Sequence, residues 1–206
     1  MKYLKLFEDY SDKTYYHVGL MNIANKSDIS YEGSGLSISK HPEEWQKINP
    51  LTSGDLFELK KRTPIFFDYY KEKDSIKRSV IKWGIDNNFV EEITTYKVCW
   101  YDDEIEDELC MFFDNKNDAI DEAGDYGVDI IIDKGYKATN KLKQMSLQKS
   151  IGIDNTFDIL LTVYLDNNTE YDGIWWEEEL DVLKYSAPRG VIFNSKLKTW
   201  DIKKID

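Results

Sequence analysis

Two tryptophans followed by three glutamates form the stretch of this sequence best suited to chemistry on a sugar. In YDGIWWEEELD, Trp175 and Trp176 precede Glu177, Glu178 and Glu179. A carboxylate fixed beside an anomeric carbon stabilises the positive charge of a breaking glycosidic bond, and an aromatic ring can stack on the leaving ring. Neighbouring residues of a strand point to opposite faces, so we expect one tryptophan in the core and the other at a cleft. A strand end that meets water is the alternative interpretation.

Histidine is scarce in this chain. His17 and His41 are the two histidines of the sequence, which argues against a histidine-centred metal site. His17 lies in TYYHVG, a strand pattern that ends at a glycine. An imidazole there is either a structural core residue or a hydrogen-bond donor in a groove, since it titrates near neutral pH. His41 precedes Pro42 at a predicted helix start, where we expect it to face solvent.

The run GSGLSIS, residues 33 to 39, combines glycines with hydroxyl side chains. Gly33 and Gly35 permit a positive φ or the close approach of a ligand. In the strand that follows, Ser37 and Ser39 share one face, and the intervening leucine and isoleucine share the other. The run lacks both the Gly-Lys-Ser/Thr of a phosphate loop and the G-x-G-x-x-G spacing of a dinucleotide fold. It predicts either a glycine turn before an edge strand or a backbone that a small ligand approaches closely.

The remaining candidates for chemistry are the cysteines and one arginine. Cys99 and Cys110 are eleven residues apart, with no further Cys or His at metal-ligand spacing. We therefore expect buried free thiols and no metal site. The absence of G-x-S-x-G and H-E-x-x-H from the sequence disfavours serine hydrolases and zinc proteases. Arg189 could bind a phosphate or pair with an acidic side chain.

The formal net charge of −12 is concentrated in one segment. Within residues 102 to 129, twelve residues are acidic and Lys116 is the single basic residue. We call this segment the acidic belt. It disfavours binding to a nucleic-acid backbone, which requires clustered lysines and arginines. Such a segment is typical of a solvated face, and it also suits a surface that binds a basic protein partner.

Length and composition predict one domain that spans residues 1–206, with the acidic belt as an insertion around 102–129. No apolar run reaches the roughly 18 residues of a membrane span. The N-terminus, MKYLKLFEDYSDK, carries charges where a signal peptide is apolar. We expect a soluble, cytoplasmic protein that does not bind membranes.

The elements that must position these residues are short strands and a few helices. Alternating or apolar runs predict strands at Tyr3–Phe7, Thr14–Gly19, Gly35–Ser39, Asp55–Lys60, Thr94–Tyr101, Glu108–Phe113, Val128–Asp133, Asp172–Trp176, Gly190–Phe193 and Thr199–Ile202. Helical spacing and caps predict helices from Pro42 onward, between Asp68 and Asn87, over Asn115–Asp125 and over Ala138–Lys149. Because strands and helices do not alternate regularly, we predict an α+β fold with mostly antiparallel pairing.

The order of these motifs resembles that of ADP-ribosyltransferase-like domains. YYHVG near the start, GSGLSIS further on and the Trp-Glu cluster near the C-terminus follow the three-part motif of that superfamily. The resemblance implies a split sheet with flanking helices and NAD as the substrate. The stretches GSGLSISKHPEEW and GIWWEEELD…SAPRGVIF also resemble segments of bacterial and phage proteins of similar length. That second resemblance implies no function, and it suggests a phage or mobile-element origin.

The resemblance also assigns roles to residues. It implies that His17 holds the ribose of NAD, that Ser37 and Ser39 occupy the middle strand and support the ribose and the glutamate, and that one of the three glutamates is catalytic. We choose Glu177, because a residue directly after a strand is the most rigidly held. The resemblance extends the cofactor site to Tyr16, Gly35, Trp175 and Arg189, with the nicotinamide stacked on Trp175 or Tyr16. The expected reaction transfers ADP-ribose to a macromolecular acceptor, or hydrolyses NAD.

Two alternatives stay open. The acidic belt favours a non-catalytic binding protein that mimics nucleic acid and blocks a basic surface of a host enzyme. In a further alternative, the chain is an unrelated α+β domain whose motifs carry no chemistry.

Overall fold

The computed structural model describes residues 13–19, 21, 35–42, 55–104, 106–145, 151–176 and 190–205. This part of the chain is mixed α and β, and all of its strand pairs except β4–β8 are antiparallel. The predicted α+β class with largely antiparallel pairing is therefore confirmed at that level. The strands are β1 Lys13–Gly19, β2 Gly35–Ile38, β3 Asp55–Lys61, β4 Phe66–Asp68, β5 Val90–Asp102, β6 Asp107–Phe113, β7 Ile130–Ala138, β8 Gly173–Trp175, β9 Gly190–Phe193 and β10 Asp201–Ile205. The helices are α1 Tyr69–Asp86, α2 Lys116–Tyr126, α3 Asn140–Met145 and α4 Ile153–Asn168.

Most predicted elements have a counterpart in the described residues. Nine predicted strands correspond to observed ones, and the tenth, Tyr3–Phe7, lies outside the described residues. The helix predicted from Pro42 also lies outside them, apart from its first residue. The sequence analysis missed β4, which has three residues, and the whole of α4.

Helix α4 was missed because it lacks an amphipathic pattern. Its side chains Ile159, Leu160, Leu161, Val163 and Leu165 are all buried, so its apolar residues cover more of its circumference than one stripe, although Asp154 and Asp158 are exposed. Polar side chains satisfy its ends instead. The Thr156 hydroxyl donates to the Gly152 carbonyl, and three residues near the C-terminus donate to carbonyls of the last turns, namely Asn167, Asn168 and Thr169.

The chain divides into two compact units. The first comprises Met1–Lys77 and Thr162–Asp206, and the second comprises Arg78–Leu161. The acidic belt lies within the second unit. The expectation of a single domain with an acidic insertion stays a prediction.

The first unit contains two sheets. One has the strand order β1-β3-β10 and the other has the order β2-β9-β8-β4. An isolated antiparallel bridge between Tyr16 and Ser39 links β1 to the end of β2. The core of this unit is built from side chains of both sheets, with the buried members Tyr15, Leu36, Ile38, Phe57, Leu59, Ile192, Leu197 and Trp200. Leu36 and Ile38 are fully buried, as their alternation with the serines predicts.

Strands β8 and β9 approach so closely that a side chain does not fit between them. A Cβ atom added at Gly173 would lie 1.8 Å from the carbonyl oxygen of Val191. A Cβ added at Gly190 would lie 2.3 Å from the ring of Trp175. The two glycines therefore allow Trp175 to lie over β9, and they fix where β8 ends.

The second unit is built on the sheet β6-β5-β7. Helix α2 packs on one face of this sheet, where Ala119 and Ala123 pack against Val98. The side chain of Asn115 accepts a hydrogen bond from the backbone of Asn117 and caps the start of α2. Gly127, with φ 66°, ends the helix in the left-handed conformation that favours glycine.

Cys99 and Cys110 form a disulfide, so the prediction of free thiols was wrong. The two residues are directly opposite in the antiparallel register of β5 and β6, with their Cα atoms 4.1 Å apart. A spacing of eleven residues does not reveal this proximity. It follows from the position of the hairpin turn, which sets the register of the two strands. The expectation that these side chains are buried also fails, because both are half-buried.

None of the helices in the described ranges combines the length and the apolar character that a membrane crossing requires.

Replacing Gly173 with alanine should destabilise the protein strongly. The added methyl group meets a backbone carbonyl that cannot rotate away, so we expect Gly173→Ala to lower the free energy of unfolding by about 2–3 kcal/mol or more. Gly124→Ala is the matched control, because a Cβ there meets nothing within 4 Å inside α2. It should raise stability by about 0.5–1 kcal/mol. Urea denaturation followed by circular dichroism measures both, and equal effects of the two changes would contradict the close approach of β8 and β9.

Candidate functional site

The predicted site residues of β1 and β2 meet where the two sheets of the first unit join. Tyr16 and Ser39 exchange two backbone hydrogen bonds, each 2.8 Å long. One residue further along β1, Nδ1 of His17 lies 2.8 Å from the carbonyl oxygen of Ser37. Because a carbonyl oxygen accepts, Nδ1 carries the proton in this contact. His17 is only 4% exposed. Its imidazole is therefore fixed in orientation by the neighbouring strand.

The imidazole and the serine hydroxyls lie on opposite faces of this junction. Tyr16 and Ser39 are directly opposite each other, so their side chains project from the same face, and the side chain of Ser37 shares it. His17 follows Tyr16 and projects to the other face, with the core residue Tyr15. The Ser39 hydroxyl accepts a 2.8 Å hydrogen bond from the backbone N–H of His41. The structure thus brings the two strands together but does not bring the hydroxyls to the imidazole.

Gly35 has a packing role that the sequence did not reveal. An added Cβ would lie 2.3 Å from Cγ2 of Val191 and 2.6 Å from the carbonyl oxygen of Ile192. Strand β9 therefore requires a glycine here. A role of Gly35 in binding a cofactor stays a prediction.

Trp175 belongs to an aromatic cluster on the core side of the sheets. Its ring lies 5.6 Å from that of Tyr15 and 5.8 Å from that of Phe66, both in edge-on arrangements. Trp200 completes the cluster, 5.7 Å from Tyr15. Trp176 packs instead against Tyr69 of α1, at 5.6 Å. The two tryptophans therefore contact different partners, as strand alternation predicts, and both are half-buried.

Lys40 is a candidate site residue that the sequence analysis missed. Its Nζ atom lies 4.5 Å from the ring centroid of Trp175 and 6.0 Å from that of Tyr15. A cation over an aromatic face is attracted to the ring, and the exposed Lys40 remains open to an anionic ligand. The signal in the sequence was a lysine directly after the serine strand, in SISKHP.

The strand register aligns the end of β8 with the junction of β1 and β2. Trp175 pairs with Gly190, and Gly190 pairs with Ile38. Ser39, the next residue, forms the bridge to Tyr16. Trp175 therefore lies at the same edge of the sheets as the bridge.

Several predicted site residues lie outside the described residues. Glu177, Glu178 and Glu179 begin two positions after the last residue of β8, and Arg189 directly precedes β9. Gly33 lies outside as well. Their assigned roles stay predictions.

An ion pair between the buried Asp172 and the partly buried Lys61 connects several strands of the first unit. Asp172 is 3% exposed, and its carboxylate accepts hydrogen bonds from Lys61 Nζ and from the backbone N–H of Ile65, the latter at 2.9 Å. The backbone N–H of Asp172 donates to the Ile65 carbonyl, and its carbonyl accepts from Phe193. Lys61 Nζ also lies 5.9 Å from the ring of Trp200. One residue thus ties the end of β3, the segment before β4, and strands β8 and β9 together.

Two further carboxylates of the first unit have hydroxyl partners. Burial, and then the neighbouring Glu72, raise the pKa of the Tyr171 phenol, which donates a 2.9 Å hydrogen bond to Glu72. Burial raises the pKa of Asp166, although the hydrogen bond from the Ser195 hydroxyl opposes this shift. Both pairs fasten helices to loops, since Glu72 lies in α1 and Asp166 in α4.

Exposed apolar side chains lie within the acidic belt of the second unit and directly beside it. Seven of the eleven large apolar side chains classed as exposed in the described residues fall within residues 101–132, namely Tyr101, Met111, Phe112, Ile120, Tyr126, Ile131 and Ile132. Ile131, Lys97 and Phe112 are aligned in register across all three strands. Because Val98 faces α2, this row projects from the opposite face of the sheet.

Comparison with known proteins gives no assignment for this architecture: no family model, no curated protein and no solved structure matches the chain.

Removing Asp172 should destabilise the first unit severely. Asp172→Ala leaves the partly buried Lys61 ammonium and the Ile65 N–H without their partner, so we expect a loss of about 3 kcal/mol in the free energy of unfolding. Asp55→Ala is the matched control, because Asp55 lies on the same strand as Lys61 and pairs with Lys204 at the surface. That change should cost less than about 1 kcal/mol. Thermal unfolding measures both, and a similar loss in the two variants would contradict an anchoring role for Asp172.

Proposed function

We propose that this chain is an NAD-using protein of the ADP-ribosyltransferase-like class, with its site at the joined ends of β1, β2 and β8. The observation that carries the proposal is the junction of β1 and β2, where the Tyr16–Ser39 bridge and the His17–Ser37 contact unite the two motif-bearing strands. The meeting of two sheets at this bridge, antiparallel apart from the β4–β8 pair, also supports the split sheet that the sequence resemblance implies.

In this proposal different residues contact different parts of NAD. In this proposal the nicotinamide displaces the Lys40 ammonium group, which lies over the ring of Trp175, and stacks there in its place. The displaced ammonium group then attracts the diphosphate. The Ser37 carbonyl fixes the orientation of the His17 imidazole, and in this proposal a ribose hydroxyl contacts the ring once the side chains that cover it move aside, because His17 is only 4% exposed. In this arrangement the serine hydroxyls support the strand rather than the sugar, because they project from the other face.

The proposed reaction is a dissociative displacement at the ribose. The bond between the anomeric carbon and the nicotinamide nitrogen breaks, and its electron pair leaves with the nicotinamide. Glu177 stabilises the oxocarbenium-like ribose and accepts the proton of the incoming nucleophile. A protein side chain, a nucleobase or water then forms the new bond to the anomeric carbon. We place this chemistry in the cytoplasm as part of the same proposal.

NAD turnover and its dependence on the glutamates test this proposal. We expect purified protein to release nicotinamide from NAD, measured by chromatography, or to transfer label from NAD to proteins of a bacterial lysate. Glu177→Gln should lower the rate by about 10²–10³-fold, because it removes a preorganised charge from the transition state. The variants Glu178→Gln and Glu179→Gln identify which carboxylate acts, and Glu170→Gln, an exposed glutamate before β8, is the matched control.

A binding measurement separates lost chemistry from a wrong assignment. NAD at about 100 times its dissociation constant should stabilise the fold by about 2.7 kcal/mol, which thermal unfolding detects readily. Protein that shows neither stabilisation by NAD, nor nicotinamide release, nor transfer would refute the proposal.

A second candidate function is supported by the second unit. We propose as the alternative that the acidic belt binds a basic protein surface, as a nucleic-acid mimic that blocks a host enzyme. The supporting observation is the set of exposed apolar side chains within the belt and beside it, such as Phe112 and Ile131. Apolar anchors inside a charged rim are typical of protein interfaces, and the charge accelerates association.

Neutralising part of the belt tests the alternative. A variant with Asp102→Asn, Asp103→Asn, Glu104→Gln, Asp107→Asn and Glu108→Gln should associate at least about tenfold more slowly with a partner captured from a lysate. The slower rate should also lose most of its dependence on salt, measured by surface plasmon resonance. Phe112→Ala should instead accelerate dissociation. A captured partner that binds the neutralised and unaltered proteins equally well would contradict this function.

A further inference from the structure

The cysteine pair of the second unit lies beside a third side chain that can bind a metal. Cys99 Sγ, Cys110 Sγ and a carboxylate oxygen of Glu108 all lie within 4.8 Å of one another. Glu108 precedes Cys110 by two positions on β6, and Cys99 is directly opposite Cys110 on β5. All three side chains therefore project from the same face of the sheet. Cys110 Sγ lies 4.0 Å from Oε2 of Glu108.

We propose that Cys99, Cys110 and Glu108 form a binding site for a thiophilic divalent cation such as Zn²⁺ when the disulfide is reduced. Two thiolates and one carboxylate are ligands that Zn²⁺ accepts, and a water molecule or a partner atom completes a tetrahedral site. In the disulfide form the sulfur atoms are bonded to each other and are not thiolates. The same residues thus cross-link the hairpin covalently when oxidised and through a metal when reduced.

The chemistry balances in two steps. A thiol reductant transfers two electrons to the disulfide, which gives two Cys thiols and one oxidised reductant. Each thiol then loses a proton as its sulfur binds the cation, so that one Zn²⁺ replaces two protons. The cytoplasm keeps thiols reduced, so the metal-binding form is the one expected in that compartment.

The frame of the site does not depend on the disulfide. Residues 96–102 of β5 pair with residues 107–113 of β6, and β5 also pairs along nine residues with β7. These ladders keep the three side chains on one face after reduction. With metal–sulfur bonds of about 2.3 Å, the two sulfur atoms need a separation of roughly 3.7 Å, which rotation of half-buried side chains can provide.

The surrounding charge favours a cation at this position. Glu108 is one of the twelve acidic residues of the belt, and its neighbour Asp107 is exposed beside it. A dense negative field raises the local concentration of cations, while the thiolates supply the selectivity for soft metals over Mg²⁺ and Ca²⁺.

Titration with Co²⁺ and Zn²⁺ in the oxidised and reduced states tests the site. Protein reduced with a phosphine should bind one Co²⁺ per chain with the sulfur-to-cobalt charge-transfer absorption, and Zn²⁺ should displace it. Oxidised protein should show no such band. Cys99→Ser should abolish the band. Glu108→Gln should keep it but weaken the affinity for Co²⁺ by about tenfold or more, at least the loss that removal of an outer-shell partner causes.

Glu104→Gln is the matched control, because Glu104 belongs to the same belt but lies beyond the strands. The affinity of this variant for Co²⁺ should equal that of the unaltered protein. Far-ultraviolet circular dichroism of each reduced variant verifies that the sheet persists. If reduced protein binds Co²⁺ no more tightly than oxidised protein, the cysteines serve as a disulfide only and the proposal is overturned. If Glu108→Gln behaves like Glu104→Gln, the three-ligand site is overturned.

Discussion

The bridge between Tyr16 and Ser39 is the contact on which the arrangement of the first unit depends. Within the described residues, its two backbone hydrogen bonds link the sheet β1-β3-β10 to the sheet β2-β9-β8-β4. Backbone groups within a sheet must pair or meet water, so a short bridge leaves the neighbouring positions of β1 and β2 to other partners. The Ser37 carbonyl, for example, accepts a hydrogen bond from the His17 imidazole. The junction is thereby closed by a side chain rather than by a longer ladder.

The aromatic cluster and the ion pair between Asp172 and Lys61 stabilise the strands that meet at that junction. Tyr15, Phe66, Trp175 and Trp200 come from four separate segments of the chain, and their edge-on or tilted contacts add directional packing to the burial of large apolar surfaces. The Asp172 carboxylate accepts hydrogen bonds from the Ile65 backbone N–H and from the Lys61 ammonium group. Since each group in this layer contacts several others, a change at one position is expected to disturb its neighbours.

The sequence predicted those features that depend on local pattern. Alternation identified β2 with its buried face, a run of aromatic and β-branched residues identified β1, and a short acidic segment identified α2. The sequence did not predict features that depend on contacts between residues far apart in the chain. Asp172 and Lys61 are separated by 111 positions, β4 exists because it pairs with β8, and the register of β5 and β6 decides that the cysteines meet. Helix α4 was missed for another reason, because its apolar residues spread around much of its circumference and weaken the period of its hydrophobicity.

Strand β7 shows a further consequence of the charge distribution. Among the described strands it is an edge of its sheet, and Ile132 is 65% exposed there, in the run VDIIID. Exposed β-branched residues on an unpaired edge are a template for intermolecular strand pairing. Asp129 and Asp133 flank the three isoleucines and act as gatekeepers, because stacking identical edges would bring these carboxylates together. These two carboxylates therefore guard the chain against self-assembly into fibrils.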